Sequence, residues 1–374
     1  MVDERELFQK NCEYQFIQGL DAVLERPERD RVNPAYLDQI FLTGDLTPMD
    51  MFLLRAVTFY GVATAEMIVE FLGYHRKFYG MQECSELLQP RVSLNNASGI
   101  DFGAELQETL KTVRRRLKRM GDKSLLVTKK IVDQNNSSKK WNLIFCTTAN
   151  TVSAVKAVFG KTAVFSTGML TYDMFYQLMP IQDVIEYMHA CRVCVLGFMN
   201  HGDRAILNCR KELVYGANKD KYTPAVLTEI KTDDREFHIL TEAIHFTVDH
   251  RYHTETEHLR NIEFMIECMA KIVAHYNYVR HVLKFASKKE IRFLIAVENY
   301  ASMTRIVNML GEHADKLRDL LFFTCDTFLA EKKNLRESVF MFRRLPDKLT
   351  GKDASVLIRP GEKTLMDTYN EWIL

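Results

Sequence analysis

Two groups of side chains have types and spacings suited to chemistry on nucleic acid. The first is Glu229-Ile230-Lys231. Residues two apart on a β-strand point to the same side, so this carboxylate and ammonium can face one phosphate and its metal ion. An ion pair on an exposed strand face is the plain alternative. The second is a run of cations between Lys111 and Lys140, where 11 Lys and Arg stand against only Asp122 and Asp133, a local +9 in a chain whose formal charge is +1. Positive side chains gathered in this way bind the phosphate backbone of a duplex by displacing counterions. A merely solvated helix face is the competing reading.

Other motifs fall short of a defined chemistry. Five of the 11 histidines lie between His238 and His258, and His250-x-x-His253 could share a metal with a carboxylate. No spacing there matches a zinc module, so hydrogen-bonded or exposed structural histidines are expected, with His238 and His245 on a strand. Cys191-x-x-Cys194 stands in an apolar segment without a second pair, which points to core thiols. Gly160-Lys161-Thr162 has the tail of a phosphate loop, yet Val155 occupies the position of its first glycine. A Gly-x-Ser-x-Gly turn is missing too. No metal site follows from these motifs.

The elements that must hold the two groups can be read from periodicity. Apolar residues at helical spacing mark Leu7 to Leu24, and a charged run after it ends that leader helix. Thr47 and Pro48 open a helix to about Tyr60, because Thr caps and Pro tolerates the first turn. Gly61 to Thr64 reads as a short turn, Ala65 to Leu72 as a second helix, and Tyr74 to Gly103 as a long connection. A third helix covers Glu105 to Met120, with Leu106, Leu110, Val113, Leu117 and Met120 as its apolar stripe and Gly121 as its stop. The positions between that stripe are basic. Ser124 to Val132 and Lys140 to Thr148 then read as a β-hairpin with a polar tip.

Three helices and a basic hairpin, in this order, predict a winged helix-turn-helix whose third helix enters the DNA major groove. The expected DNA contacts are Lys111, Arg114, Arg115, Lys118 and Arg119 on the helix, with Lys129, Lys130, Lys139 and Lys140 on the hairpin.

Beyond a linker near Gly160 to Gly168 the order changes. A helix at Thr151 to Phe159 and a mostly helical stretch from Tyr172 to Met199 lead to a mixed segment, Asp203 to Val214. Ala225 to Thr232 and Phe237 to Val248 suit an antiparallel pair. A long helical stripe from Leu259 to Leu283, a strand at Ile291 to Val297, a helix at Met303 to Leu310 and a strand at Leu320 to Thr324 complete the series. The fold class expected is α+β: an N-terminal winged helix-turn-helix, then an α/β domain with a mixed sheet. The divisions are a leader at 1–46, the winged helix at 47–160, the α/β domain at 169–345 and a tail at 346–374.

At 374 residues the chain suits two domains, and its 47 % hydrophobic and 26 % charged content excludes a disordered or low-complexity polymer. Arg55, Glu66 and Glu70 interrupt its most apolar stretch, so no membrane span is expected. Its start lacks the pattern of a secretory signal, and eight scattered cysteines read as reduced thiols of a cytoplasmic protein.

The element order of the second half is similar to restriction-endonuclease-like domains, in which carboxylates hold Mg²⁺ and a lysine orients the attacking water. That likeness would give Glu229, Lys231 and Asp249 catalytic roles, with Mg²⁺ as the cofactor; no other cofactor is expected. The whole also resembles the bacterial replication-relaxation family of plasmids and integrative elements. The likeness lies in Leu46-Thr-Pro48, Thr64-Ala-Glu66, Arg116-Leu-Lys-Arg-Met-Gly121, Phe246-Thr-Val-Asp249 with Thr254-Glu255, Lys271 to Tyr276, and Ile291 to Val297. It implies a DNA-binding protein of a mobile element, acting in replication or conjugative transfer through a winged helix with a nuclease-like second domain. The partners implied are double-stranded DNA, a replication or transfer enzyme and a second copy in a homodimer. A metal-dependent nuclease and a winged-helix transcriptional repressor are the alternatives.

Overall fold

Thr47 starts a helix as its chemistry requires. Its hydroxyl accepts from the Asp50 amide at 3.3 Å while the Asp50 carboxylate accepts from the Thr47 amide at 2.8 Å, a closed capping box with Pro48 in the first turn. Such a box contributes about 1 kcal/mol. The computed structural model describes residues 33–69, 71, 102–132, 141–159, 181–198, 205–231, 236–245, 255–281, 289–310, 317, 320–325, 338–346 and 353–358. They form two compact units divided between Val184 and Ile185, in a mixed α+β fold. Among them no helix is long and apolar enough to cross a membrane.

In the N-terminal unit, α1 (Pro34–Leu42) packs against α5 (Ala149–Phe159), burying Leu37 and Ile40. Helix α2 (Pro48–Tyr60) ends at Gly61, whose φ of +75° few other residues adopt. Strand β1 (Val62–Thr64) follows where the sequence suggests a turn. Its register is Val62 opposite Cys146, Ala63 opposite Phe145 and Thr64 opposite Ile144, a pairing too short to leave a periodic signal. Thr64 then caps α3, a short helix over 65–69, by accepting from the Met67 amide at 3.2 Å.

Helix α4 (Phe102–Asp122) contains the expected third helix, and Val113, Leu117 and Met120 of the stripe are fully buried. Burial of each stabilises the unit by roughly 1.5–3 kcal/mol. Gly121 does not stop α4 as expected. It lies in the last turn, where a Cβ would sit 2.8 Å from Thr128 Oγ1, so any added side chain requires Thr128 to shift. The chain turns at Ser124, with φ +61°, and the Leu125 amide bonds back to the Met120 carbonyl at 3.0 Å. The expected hairpin follows as β2 (Val127–Val132) and β3 (Trp141–Cys146), and the sheet order is β1-β3-β2, antiparallel throughout.

The C-terminal unit is built on a seven-stranded mixed sheet. Helix α6 (Ile181–Phe198) crosses the division and is followed by β4 (Ala205–Cys209), a small ribbon of β5 (Leu213–Tyr215) and β6 (Asp220–Tyr222), then β7 (Val226–Lys231) and β8 (Glu236–Ile244). Helix α7 (Glu255–His281) crosses over to β9 (Lys289–Val297), and α8 (Tyr300–Leu310) crosses over to β10 (Leu321–Cys325). β11 (Val339–Pro346) and β12 (Asp353–Ile358) complete the order β12-β11-β10-β9-β8-β7-β4. The three central strands β8, β9 and β10 are parallel and the flanking pairs are antiparallel.

Ile266, Met269 and Ile272 of α7 and Met303 and Ile306 of α8 pack on Leu227, Leu240 and Phe293 of the sheet. Side chains of α6 lie on the opposite face, where Cys194 meets Thr228 and Thr241. β4, β5 and β6 occupy or adjoin the segment read as mixed polar and apolar, β11 was not expected, and β12 falls in the segment read as a tail. The expected helix at Leu7 to Leu24, the Tyr74 to Gly103 connection and the Gly160 to Gly168 linker lie outside the described residues.

Candidate nucleic-acid interface

The solvent side of α4 carries a row of exposed cations. With Val113, Leu117 and Met120 facing inward, 100° per residue carries Lys111, Arg115 and Lys118 onto the opposite, exposed face. They succeed one another by four and three residues, so they form one ridge along the helix. Among the described residues these three cations make no salt bridge.

The neighbouring arginines do. Arg114 donates to Glu66 Oε1 of α3 at 2.5 Å. Arg116 Nη1 donates to Asp50 Oδ1 at 2.9 Å and to Thr47 Oγ1 at 3.1 Å, and Arg119 Nη2 donates to Asp50 Oδ2. The flanks of α4 are thus tied to α2 and α3. Arg114 and Arg119, expected among the DNA contacts, take these acidic partners, while their side chains stay 43 % and 46 % exposed. Asp50 itself is fully buried. Burial would raise its carboxyl, but the Thr47 amide and hydroxyl and the Arg116 guanidinium outweigh that and hold it below the usual carboxylate range.

Lys129 and Lys130 stand on β2 opposite Ile144 and Leu143. Lys139 and Lys140 lie outside the described residues, as does Asp249. The hairpin that carries Lys129 and Lys130 is continuous with the turn after α4, where Lys123 reaches Asp45 at 3.3 Å.

The second expected group lies on β7. Glu229 and Lys231 do share a strand, but the Glu229 carboxylate is held by Lys211 from the turn after β4, and Lys231 is exposed. Lys211 lies too far off in sequence for strand spacing to reveal it. Opposite Glu229 in the β7–β8 register stands His238, whose Nε2 is 2.9 Å from Glu236 Oε1 and whose Nδ1 is 2.6 Å from the Tyr276 hydroxyl of α7. Among the described residues no group of three His, Cys, Asp or Glu is placed to hold a metal ion.

His238 and His245 are buried and hydrogen-bonded, in keeping with structural roles. His250 and His253 lie outside the described residues. Cys191 and Cys194 are buried free thiols, and burial pushes the Cys194 thiol up to about 12, far from a reactive thiolate. A polar feature that the sequence did not single out is Glu242 on β8. It accepts from the Tyr222 hydroxyl at 2.6 Å and the Ala225 amide at 3.2 Å, and burial nevertheless pushes its carboxyl up to about 7. Compared with models of known families, with curated proteins and with solved structures, the chain finds no match in any of the three.

Proposed function

We propose that the N-terminal unit is a winged helix-turn-helix that binds double-stranded DNA, with α4 presented to the duplex and the β2–β3 hairpin beside it. Its element order, helix, short strand, two helices and a hairpin closing on that strand as β1-β3-β2, supports the reading. The observation that carries it is the exposed ridge of Lys111, Arg115 and Lys118, next to flanks whose charges have internal partners. Cations without a partner among the described residues are those best placed to replace counterions on phosphate. The motif likeness described above supports a role in the replication or transfer of a mobile element.

For the C-terminal unit we propose a scaffold for a replication or transfer enzyme. Helix, three antiparallel sheet strands with the β5–β6 ribbon inserted after the first, helix and parallel strand resemble the order of a restriction-endonuclease-like domain. The Lys211 ion pair on Glu229 speaks against an open Mg²⁺ site there.

Fluorescence anisotropy with a labelled duplex of about 30 base pairs, titrated over a range of salt, tests the DNA reading. The variant carrying Lys111→Ala, Arg115→Ala and Lys118→Ala is expected to bind more weakly and to lower the log–log salt slope by about 2.7, at about 0.9 per lost contact. Equal affinity and slope in the two proteins would exclude this surface.

A further inference from the structure

Asp50 accepts hydrogen bonds on both carboxylate oxygens. Oδ2 takes the Thr47 amide at 2.8 Å, the Thr47 hydroxyl at 2.7 Å and Arg119, while Oδ1 takes Arg116 at 2.9 Å. A capping box requires only the first of these. The two guanidiniums are therefore an addition, and they join the start of α2 to the C-terminal half of α4. Geometrically they lie on the flank of α4 nearer α2, whereas Lys111, Arg115 and Lys118 lie on its crest.

We infer that Asp50 is a positioning residue for DNA binding: it fixes α4 against α2 and withholds Arg116 and Arg119 from the duplex, so that the crest cations alone make the helix's phosphate contacts. The inference rests on the duplex-binding reading. A fully buried carboxylate is a strong holder of guanidinium, because its charge is shielded from water. Without it the two arginines repel one another beside the positive end of the α2 dipole, and Arg119, already 46 % exposed, turns outward. The helix would then offer up to two more cations and a less fixed orientation.

The test is the salt dependence of binding to a random-sequence duplex, compared among wild type, Asp50→Asn, and Asp50→Asn combined with Arg116→Gln and Arg119→Gln. Far-ultraviolet circular dichroism and thermal melts establish that each is folded. Asp50→Asn is expected to steepen the log–log slope by about 0.9–1.8, one or two additional contacts. The triple variant should return to the wild-type slope, a readout that loss of a helix cap alone does not move. A wild-type slope in folded Asp50→Asn overturns the inference and leaves duplex binding intact. If Asp50→Asn does not fold, the triple variant decides: a slope about 1.8 below wild type would mean that the two arginines already touch phosphate, and the inference fails. Absence of duplex binding by wild type itself overturns both.

Discussion

His189 Nδ1 and His245 Nε2 lie 2.6 Å apart in the interior of the C-terminal unit, joining α6 to the residue that follows β8. One ring must donate and the other accept, so each fixes the tautomer of its neighbour. Around them, Glu298 Oε1 is 4.0 Å from His245 Nδ1, and Glu186 Oε1 accepts the His245 amide at 2.8 Å. Either His189→Leu or His245→Leu removes this bond from a ring that stays buried, a loss of about 1–3 kcal/mol. The double variant should lose less than the sum. Urea unfolding of the four proteins measures the coupling, and strict additivity would mean that the bond contributes nothing.

Glu242 makes stability depend on pH in a definite direction. Its carboxyl is raised from an ordinary 4.5 to about 7 by burial. Within that window the folded protein keeps a proton that the unfolded chain releases, so stability falls as pH rises from about 4.5 to about 7 and levels off above. Unfolding free energies from urea titrations at about pH 5 and pH 8 should differ in wild type by roughly 2 kcal/mol more than in Glu242→Gln. An equal difference in the two proteins would place the pH dependence elsewhere.

The contact beneath Gly121 predicts a reversal of sign. Ala is the better helix former by up to about 1 kcal/mol, yet its Cβ would stand 2.8 Å from Thr128 Oγ1. Gly121→Ala alone should therefore lower the melting temperature, whereas Gly121→Ala with Thr128→Ala should raise it above that of Thr128→Ala. A rise from the single substitution would show that Thr128 yields without cost.

Lys211, not Lys231, should matter to Glu229. Lys211→Met leaves a carboxylate that is only 13 % exposed without its cation, and about 1 kcal/mol of stability should be lost. Lys231→Met, at an exposed position, should stay within about 0.5 kcal/mol of wild type. Incubation with Mg²⁺ and plasmid provides the chemical check: intact DNA is expected, and nicking that disappears in Glu229→Gln would restore the nuclease reading.

What the sequence made legible was whatever repeats. The stripes of α7 and α4 follow from an apolar period, since one face of each must leave water, and the β7–β8 pair from two strand-like runs around a short polar connection. β1 and β5 have three residues each, too few for a period, and they are strands because of what pairs with them. β11 runs from the consecutively buried Val339 to Phe342 straight into Arg343 and Arg344, so it offers no alternation to read. The basic surface was legible as composition but not as geometry. Nothing local reveals that Asp50 gathers Arg116 and Arg119, or that Glu66 takes Arg114, because those bonds join helices distant along the chain.

The position of β12 has a bearing on truncation. It covers the outer row of amides and carbonyls on β11, from Met341 opposite Ile358 to Pro346 opposite Asp353. A chain cut before Asp353 would present that row bare, beside Phe340 and Phe342, as a template on which identical copies could stack. Shortened forms should accordingly precipitate during expression even where the remaining fold is sound.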